Sequence, residues 1–553
     1  MTLSKILMAS AAALALTACG DKGGSSDAPE TKSSAQAAKA NAASPLDSKF
    51  TLKNADEVEG DKILALLPGD ANPTYDSTSF DAKLGATVFE NLKFADADDG
   101  EAIIIGRAEF YGVDEDAIAK VQNKDNAAID APFQTVFEKV RLFDVSAEGI
   151  DAEDASFSIG GVELDKLAIR EGGVDKASDI DEGAQFFNAV SLGGLYFKDI
   201  NLAVGESEAG AVRFTAPDLR FVGLGGGKLN AVIMNDLEYG IEQSPETIDA
   251  IAKSMGPEAG LLFSGPLKSL IAPENQNVKM SALEWRNIDM SGLLEWGLKD
   301  EKPPASARNL INLGTMKATD METYINGKRL AVVEEADMTA GEFTWMIPSD
   351  IRLETKGAQY DLTAYAAGDE DPVYAVLKDN GLDKLTGDGL LVWKWNDKSG
   401  DANMVYTATA DGFADMGMNL SLADLKLEEI AAERDEDAES PKFGALKNFS
   451  LELKDEKALD TLFAISALQM GGTGDDLRQS APAMIRLSGA QFAQMNPAFS
   501  SYVNAVADFV AKGGSLKISA QPEDPLAFSA LQNGEVNPMT LPQTLNLEVT
   551  HAK

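Results

Sequence analysis

Few side chains in this sequence are suited to catalysis or tight metal binding. There is one cysteine and one histidine, and the histidine, His551, is third from the C-terminus, where chains are usually poorly ordered. Imidazole metal sites and Ser-His or Cys-His nucleophiles therefore lack their essential residue. No Gly-x-Ser-x-Gly or Ser-x-x-Lys motif supports serine hydrolase chemistry either. We predict that the protein is not an enzyme.

Two other stretches resemble ion-binding or phosphate-binding motifs. Gly223–Lys228 is glycine-rich, but the first glycine of a phosphate loop is missing and Leu229 stands where serine or threonine would hold magnesium. A turn between strands is the better interpretation. Asp96, Asp98 and Asp99 are the best calcium candidates, yet the glycine that follows comes one residue too early for an EF-hand loop. A structural turn is favoured there too, and we predict no cofactor.

Cys19 is the residue with the most specific chemistry. It follows Leu16, Thr17 and Ala18 at the end of a short apolar run. This arrangement resembles the lipobox of bacterial lipoproteins. The resemblance implies that residues 1–18 are a signal peptide that is removed, and that Cys19 becomes the acylated, palmitate-bearing N-terminus. An ordinary cleaved signal peptide with an incidental cysteine is the alternative.

The residues around this cysteine and the overall charge suggest a location. Gly20, not aspartate, follows Cys19, which by resemblance to lipoprotein sorting signals implies the outer membrane, facing the periplasm. Inner-membrane or cell-surface anchoring are alternatives. The net charge of -41 makes it unfavourable for the protein to bind nucleic acid or anionic lipid headgroups through a basic patch. We therefore expect the membrane to be a partner only through the N-terminal lipid.

Composition divides the mature chain into three parts. Residues 19–48 are small, polar and free of aromatic side chains, which predicts a disordered tether. Paired prolines and charges at 299–307 predict a boundary. We expect a β-rich hairpin-repeat region at 49–300 and a β-rich region with docked C-terminal helices at 308–553.

Strand patterns recur through this folded part. Alternation such as Val162–Asp165 predicts strands with one apolar and one wet face. Four six-residue segments share a tighter motif, and they begin at Phe89, Phe137, Phe197 and Trp285. The motif consists, in order, of an aromatic residue, a charged residue, Asn, Lys or Asp, an aliphatic residue, any residue and an apolar residue. A second β-type run follows the first three, which is typical of hairpins. The predicted fold is mainly β with a few helices, as elongated sheets or stacked sandwiches of repeated antiparallel hairpins.

Proline and glycine signals predict three helices among these strands. They cover Ser244–Met255, Lys457–Met470 and Pro497–Lys512. The last one has an apolar face that includes Phe499 and Phe509. A face this wide and aromatic should dock on a sheet.

The organisation of the body is similar to that of periplasmic AsmA-like proteins, in which successive strands build a long curved sheet with an apolar inner face. The transmembrane helix usual in that family is replaced here by the acylated cysteine. The resemblance implies an acyl-chain groove and the carriage of lipid or another apolar envelope component. Closed sandwich cores give the same alternation, so a binding or scaffolding role in structure or assembly is favoured. A carboxylate-dependent glycan hydrolase is a third candidate, because it needs only two of the 89 acidic residues.

Overall fold

The structure is a computed structural model in which the chain is mainly β, with antiparallel strand pairing, as the sequence predicts. It divides into two compact units, Met1–Ala250 with Asn275–Ala318, and Ile251–Glu274 with Thr319–Lys553. The division therefore lies beyond the proline-rich stretch at 299–307. The structure describes residues 43–64, 73–95, 102–123, 125, 128–148, 155–173, 182–207, 210–244, 274–366, 368–432, 444–532, 536–537 and 539–553.

The first unit is built on a sheet whose strands pair in chain order from β3 to β10, with β1 and β2 both on β3. The three hairpins predicted after Phe89, Phe137 and Phe197 are confirmed as β3–β4, β5–β6 and β7–β8. The strands are β1 Pro73–Thr74, β2 Ser77–Asp81, β3 Ala86–Ala95, β4 Ala102–Tyr111, β5 Phe133–Glu148, β6 Ala155–Arg170, β7 Val190–Ser207, β8 Gly210–Gly225, β9 Lys228–Gln243 and β10 Asn275–Asp289. Its helices are α1 Gly60–Leu64, α2 Glu115–Gln122, α3 Glu182–Ala189 and α4 Ser291–Gly297.

The shared motif marks a bend within these long strands. Its third residue has a left-handed backbone in three of the four copies, at Asn91, Asp199 and Asn287, with φ of 51°, 53° and 60°. The copy that begins at Phe137 has no left-handed residue, and the one in its strand is Asp144, two residues beyond the motif, with φ of 53°. Asparagine and aspartate adopt this conformation more readily than other non-glycine residues. In three copies the third position of the motif therefore coincides with a left-handed backbone conformation.

Glycines on neighbouring strands make room for these bends. A Cβ placed on Gly106 would lie 3.1 Å from Cβ of Asp144, and one on Gly160 would lie 3.0 Å from Cβ of Asp199. Both contacts are closer than ordinary packing. The bends of β5 and β7 therefore each lie beside a glycine, where a larger residue would collide with the left-handed aspartate.

Replacing Asp199 with valine should lower the free energy of unfolding of the first unit by about 1–2 kcal/mol, because a β-branched residue is strained in a left-handed conformation. Asp199→Asn is the matched control and should have little effect. Urea unfolding of chains that also carry Cys19→Ala would measure both. Equal midpoints for the valine and asparagine variants would show that this bend does not need its residue type.

The two faces of this sheet differ sharply in chemistry. One face carries a buried apolar core, to which strands β3 to β9 all contribute: Phe89, Leu92, Ile105, Phe137, Val140, Val162, Phe197, Ile200, Phe221 and Val232. The other face carries charged residues that are also buried, including Arg141, Glu163 and Arg220 at 4%, 1% and 2% exposure, beside a smaller apolar cluster of Val222, Ala231 and Ile233. The wet face predicted for Val162–Asp165 is therefore wrong at Glu163. The reason is a covering segment, because residues 43–48, predicted to lie in the tether, contain a 3-10 turn at Pro45–Asp47 that lies on this face.

The strands of the second unit also pair antiparallel, in the order β12–β15–β16–β17–β18–β19–β20–β22. Strand β21 pairs with the start of β19, and β13 pairs with β14. The strands are β11 Thr315–Ile325, within which the two units divide, then β12 Lys328–Ala340, β13 Phe343–Thr344, β14 Ile347–Pro348, β15 Asp350–Tyr360, β16 Leu385–Asn396, β17 Asp401–Ala410, β18 Ala414–Ala423, β19 Ala445–Asp455, β20 Gly514–Ala520, β21 Leu526–Ala527 and β22 Glu548–Ala552.

Helices pack on these strands near the C-terminus. The helices predicted at Lys457–Met470 and Pro497–Lys512 are confirmed as α7 and α9, and α9 docks on β20 and β22. The predicted helix Ser244–Met255 lies, beyond Ser244, outside the described residues. The helices are α5 Pro372–Asp379, α6 Leu427–Ala432, α7 Ala458–Met470, α8 Gly474–Met495, α9 Ala498–Lys512, α10 Phe528–Gln532 and α11 Leu541–Thr544, with a 3-10 turn at Leu362–Tyr365.

Two features of this region depart from the sequence-based expectations. Helix α8 was not predicted, although Thr473 caps it by accepting a hydrogen bond from the Asp476 amide. The C-terminus is ordered, because β22 pairs with β20 and His551 Nε2 lies 2.8 Å from the Gly513 carbonyl oxygen. The expectation of a poorly ordered His551 is therefore wrong.

Candidate functional site

The residues singled out for chemistry in the sequence lie mostly outside the described part of the chain. This holds for Leu16, Thr17, Ala18, Cys19, Asp96, Asp98 and Asp99. Gly223–Lys228 is described, and it is a turn as predicted: Gly226 and Gly227 have φ of 57° and 76° and join β8 to β9. Among the described residues, no group of three or more His, Cys, Asp or Glu side chains could hold a metal ion.

An apolar surface lies at one end of the first sheet, on the same face as its core. Residues paired directly across an antiparallel sheet share a face. Leu202 of β7 pairs with Phe214 of β8, which pairs with Tyr239 of β9 and then Val278 of β10. These four side chains form a row across four strands, about 15 Å wide at 4.8 Å per strand.

A second row runs beside the first, closer to the strand ends. It consists of Val204, Val212 and Ile241, which are paired in that order. Alternate residues of one strand point to the same face, so Val204 and Leu202 share the face of Ile200, which is a buried member of the core. We call the two rows, Leu202, Phe214, Tyr239, Val278, Val204, Val212 and Ile241, the apolar end face.

This end face is accessible to solvent, although it continues directly from the core. Leu202, Val204, Val212 and Tyr239 are 37%, 45%, 38% and 38% exposed. Single exposed apolar residues are normal on a protein surface, whereas contiguous exposed apolar patches mark interaction sites. The four lie on three adjacent strands, so they form a contiguous patch.

The reverse side of the same strand ends is polar. Arg213 Nη1 lies 3.5 Å from Glu242 Oε1 across β8 and β9. Glu238 Oε1 accepts a hydrogen bond from Asn277 Nδ2 at 2.6 Å, and Lys279 Nζ lies 3.1 Å from Glu238 Oε2. The hydrogen bond from Asn277 is the main cause that lowers the pKa of Glu238, and the hydrogen bond and charge of Lys279 lower it further. The strand ends are thus amphipathic, and apolar chemistry is confined to one side.

The second unit contains an open cavity of about 710 Å³ with different chemistry. Its lining includes Asp369, Tyr374, Asp383 and Lys384. Lys378 Nζ donates a hydrogen bond to the Tyr374 hydroxyl at 3.4 Å. This bond is the main cause of the raised pKa of Lys378, and the nearby carboxylates of Asp383 and Asp369 raise that pKa further. The lining mixes these charged side chains with aliphatic ones such as Leu330 and Val332, so the apolar end face is the better candidate for a purely apolar ligand.

Alternation alone could have identified part of the apolar end face. Ile200, Leu202 and Val204 are spaced by two, which predicts one apolar strand face. The pattern does not distinguish a covered face from an open one. The exposed fractions of these side chains therefore came only from the structure.

Comparison with known proteins adds little to this chemistry. A family model described as "Uncharacterized protein" matches residues 407–552. The matched stretch contains α7, α8 and α9 and lies within the second unit. No curated protein matches the chain. No helix among the described residues is both long and apolar enough to cross a membrane.

Proposed function

We propose that this is a lipid-anchored bacterial envelope protein that binds an apolar segment, such as an acyl chain, of an envelope component. The observation that carries the proposal is the exposed end face of Leu202, Val204, Val212 and Tyr239, which is continuous with the core. Covering apolar surface contributes about 25 cal/mol per Å² of area removed from water. A lipid on Cys19 would hold this face near membranes that supply such ligands.

A fluorescent fatty acid probe tests the proposed binding on the chain carrying Cys19→Ala. Leu202→Asp with Val212→Asp should weaken probe binding at least about tenfold, because an acyl chain cannot pair the introduced charges. Leu353→Asp with Met416→Asp is the matched control, since these side chains of the second unit are 38% and 36% exposed. Equal loss of binding in both variants, or none in either, would contradict the proposal.

Attachment is tested separately from binding. Cys19→Ala should move the protein from the membrane to the soluble fraction, because stable anchoring needs more than one acyl chain and these are all attached to one residue. Fractionation followed by mass spectrometry of the N-terminus checks this. A membrane-bound Cys19→Ala protein, or a native protein with an unmodified N-terminus in the soluble fraction, would rule out the lipid anchor.

A scaffolding role in structure or assembly is the second candidate. Helix α8 favours it, because Met484 and Leu487 are 60% and 77% exposed and lie one turn apart on its surface. Leu487→Arg should then disturb an envelope assembly phenotype while leaving probe binding unchanged. If it affects neither, the α8 surface has no such role.

A further inference from the structure

The segment that precedes the first sheet lies across buried charges on the face opposite the core. We call residues 44–50 the strap. Arg141 donates from Nη1 to the Ser48 carbonyl oxygen at 2.7 Å and from Nη2 to the Pro45 carbonyl oxygen at 3.0 Å. Its Nε donates to Glu163 Oε2 at 2.7 Å. The guanidinium thus joins the strap backbone to the most deeply buried carboxylate of this face.

Side chains of the strap complete the contact. The Phe50 ring lies 5.0 Å from Lys139 Nζ and 5.8 Å from the Arg141 guanidinium carbon, within the range of cation–π attraction. It also packs edge-on against Tyr111, with ring centroids 5.0 Å apart. Asp47 Oδ1 lies 2.5 Å from Lys198 Nζ, and this hydrogen bond lowers the pKa of Asp47.

The slot under the strap is lined mainly by charged side chains, which determines the free energy needed to open it. Lys139, Arg141 and Glu163 are buried beneath the strap, whereas Asp47 and Ser48 of the strap are exposed. The strap belongs to no strand, so lifting it breaks no ladder of backbone hydrogen bonds. Lifting a cover from an apolar core exposes surface that water disfavours, whereas lifting this one exposes, beside the Tyr111 ring, ion pairs that water can solvate.

We propose that this slot is a peptide-binding site that the chain fills with its own strap, and that the strap is a latch that detaches while the sheet stays folded. Release adds roughly 25 Å of extended chain, at 3.3–3.6 Å per residue, to the segment that precedes the body. The consequence for the distance between body and membrane rests on the proposed lipid anchor. The latch itself does not.

The absence of cysteine beyond Cys19 permits a direct test. In the full chain carrying Cys19→Ala, a single cysteine is introduced either at Leu46→Cys on the strap or at Ala108→Cys in the core, where the side chain is 0% exposed. Leu46 packs on Gly161, with 3.3 Å from its Cδ1 to a Cβ placed there. A thiol reagent in native buffer should label Leu46→Cys at least about 100-fold faster than Ala108→Cys, because local opening needs less free energy than global unfolding.

Two further substitutions, made in both the Leu46→Cys and the Ala108→Cys chain, separate latch opening from general loosening. Phe50→Ala should speed labelling of Leu46→Cys at least about tenfold, since it removes the ring from Lys139, Arg141 and Tyr111. Lys49→Ala is the matched control, an exposed strap residue, and should leave the rate unchanged. Labelling of Leu46→Cys at the Ala108→Cys rate, or equal acceleration of both sites by Phe50→Ala, would overturn the latch.

Amide hydrogen exchange, measured on a chain with no substitution in the strap, tests latch opening without an introduced cysteine. The Asp47 amide donates to the Ser44 carbonyl oxygen at 3.0 Å, and it should exchange by local opening, well before the amides of β5 and β6. Exchange of Asp47 together with those strand amides would also overturn the latch. Neither measurement uses the lipid or the apolar end face, so failure here is distinguishable from failure of the proposed function.

Discussion

Replacing Glu163 with alanine should lower the free energy of unfolding of the first unit by about 3–5 kcal/mol, the cost typical of removing one partner from a buried ion pair. Glu163 is 1% exposed and lies 2.5 Å from Lys139 Nζ and 2.6 Å from Arg141 Nη2. Asp165 Oδ1, at 3.0 Å from Lys139 Nζ, compensates one cation only in part. Urea unfolding, followed by a probe in the first unit, measures the loss.

An exposed ion pair of the same sheet is the control for Glu163. Glu148 Oε2 lies 2.8 Å from Lys93 Nζ, and their side chains are 58% and 41% exposed. Glu148→Ala should cost less than about 1 kcal/mol, because water screens such pairs. If Glu163→Ala cost no more than Glu148→Ala, the charges under the strap would be solvated in the native state.

Phe509→Ala should destabilise the second unit by about 3–5 kcal/mol through lost burial and the cavity left behind. Phe509 is 8% exposed on α9, the helix that docks on β20 and β22. Its ring lies edge-on to His551 of β22, with centroids 6.4 Å apart. Calorimetry of the chain carrying Cys19→Ala should show a lower unfolding temperature for the second unit.

Ser500 provides the control on the opposite side of α9. It is exposed, and Ser500→Ala should change stability by no more than about 0.5 kcal/mol. Asn504 is a poorer control, because its Oδ1 accepts a hydrogen bond from Arg486 Nε of α8 at 3.1 Å. Equal unfolding temperatures for Phe509→Ala and the parent would show that α9 does not contribute to the fold.

Features that depend on neighbours in the chain were predictable from the sequence. The apolar face of Pro497–Lys512 predicted a docked helix, which is α9. The glycines of Gly223–Lys228 predicted a turn, and the positive φ values of Gly226 and Gly227 in the structure suit a two-residue hairpin connection. The motif at Phe89 and Phe197 predicted hairpins, although its third position proved to mark left-handed bends. In each case the information lies within a few residues of the feature.

Helix α8 shows where local signals were misleading. It holds Pro482 in its interior, and proline normally ends or kinks a helix. Its outward side is exposed even at Met484 and Leu487, so no simple amphipathic pattern marks it. Packing against α9, including Arg486 Nη2 at 2.7 Å from Asp508 Oδ1, supports the helix from outside its own sequence.

The sequence by itself determined the hairpins β3–β4, β5–β6 and β7–β8 and the two helices α7 and α9, because these follow from periodicity and from local turn and capping residues. Only the tertiary structure decided which faces are covered. Glu163 and Leu202 both occur in alternating strands, yet Glu163 is buried and Leu202 is 37% exposed. Burial of Glu163 depends on the strap, which joins Arg141 from more than ninety residues away. Alternation records which side of a strand a residue occupies, whereas coverage depends on contacts distant in sequence.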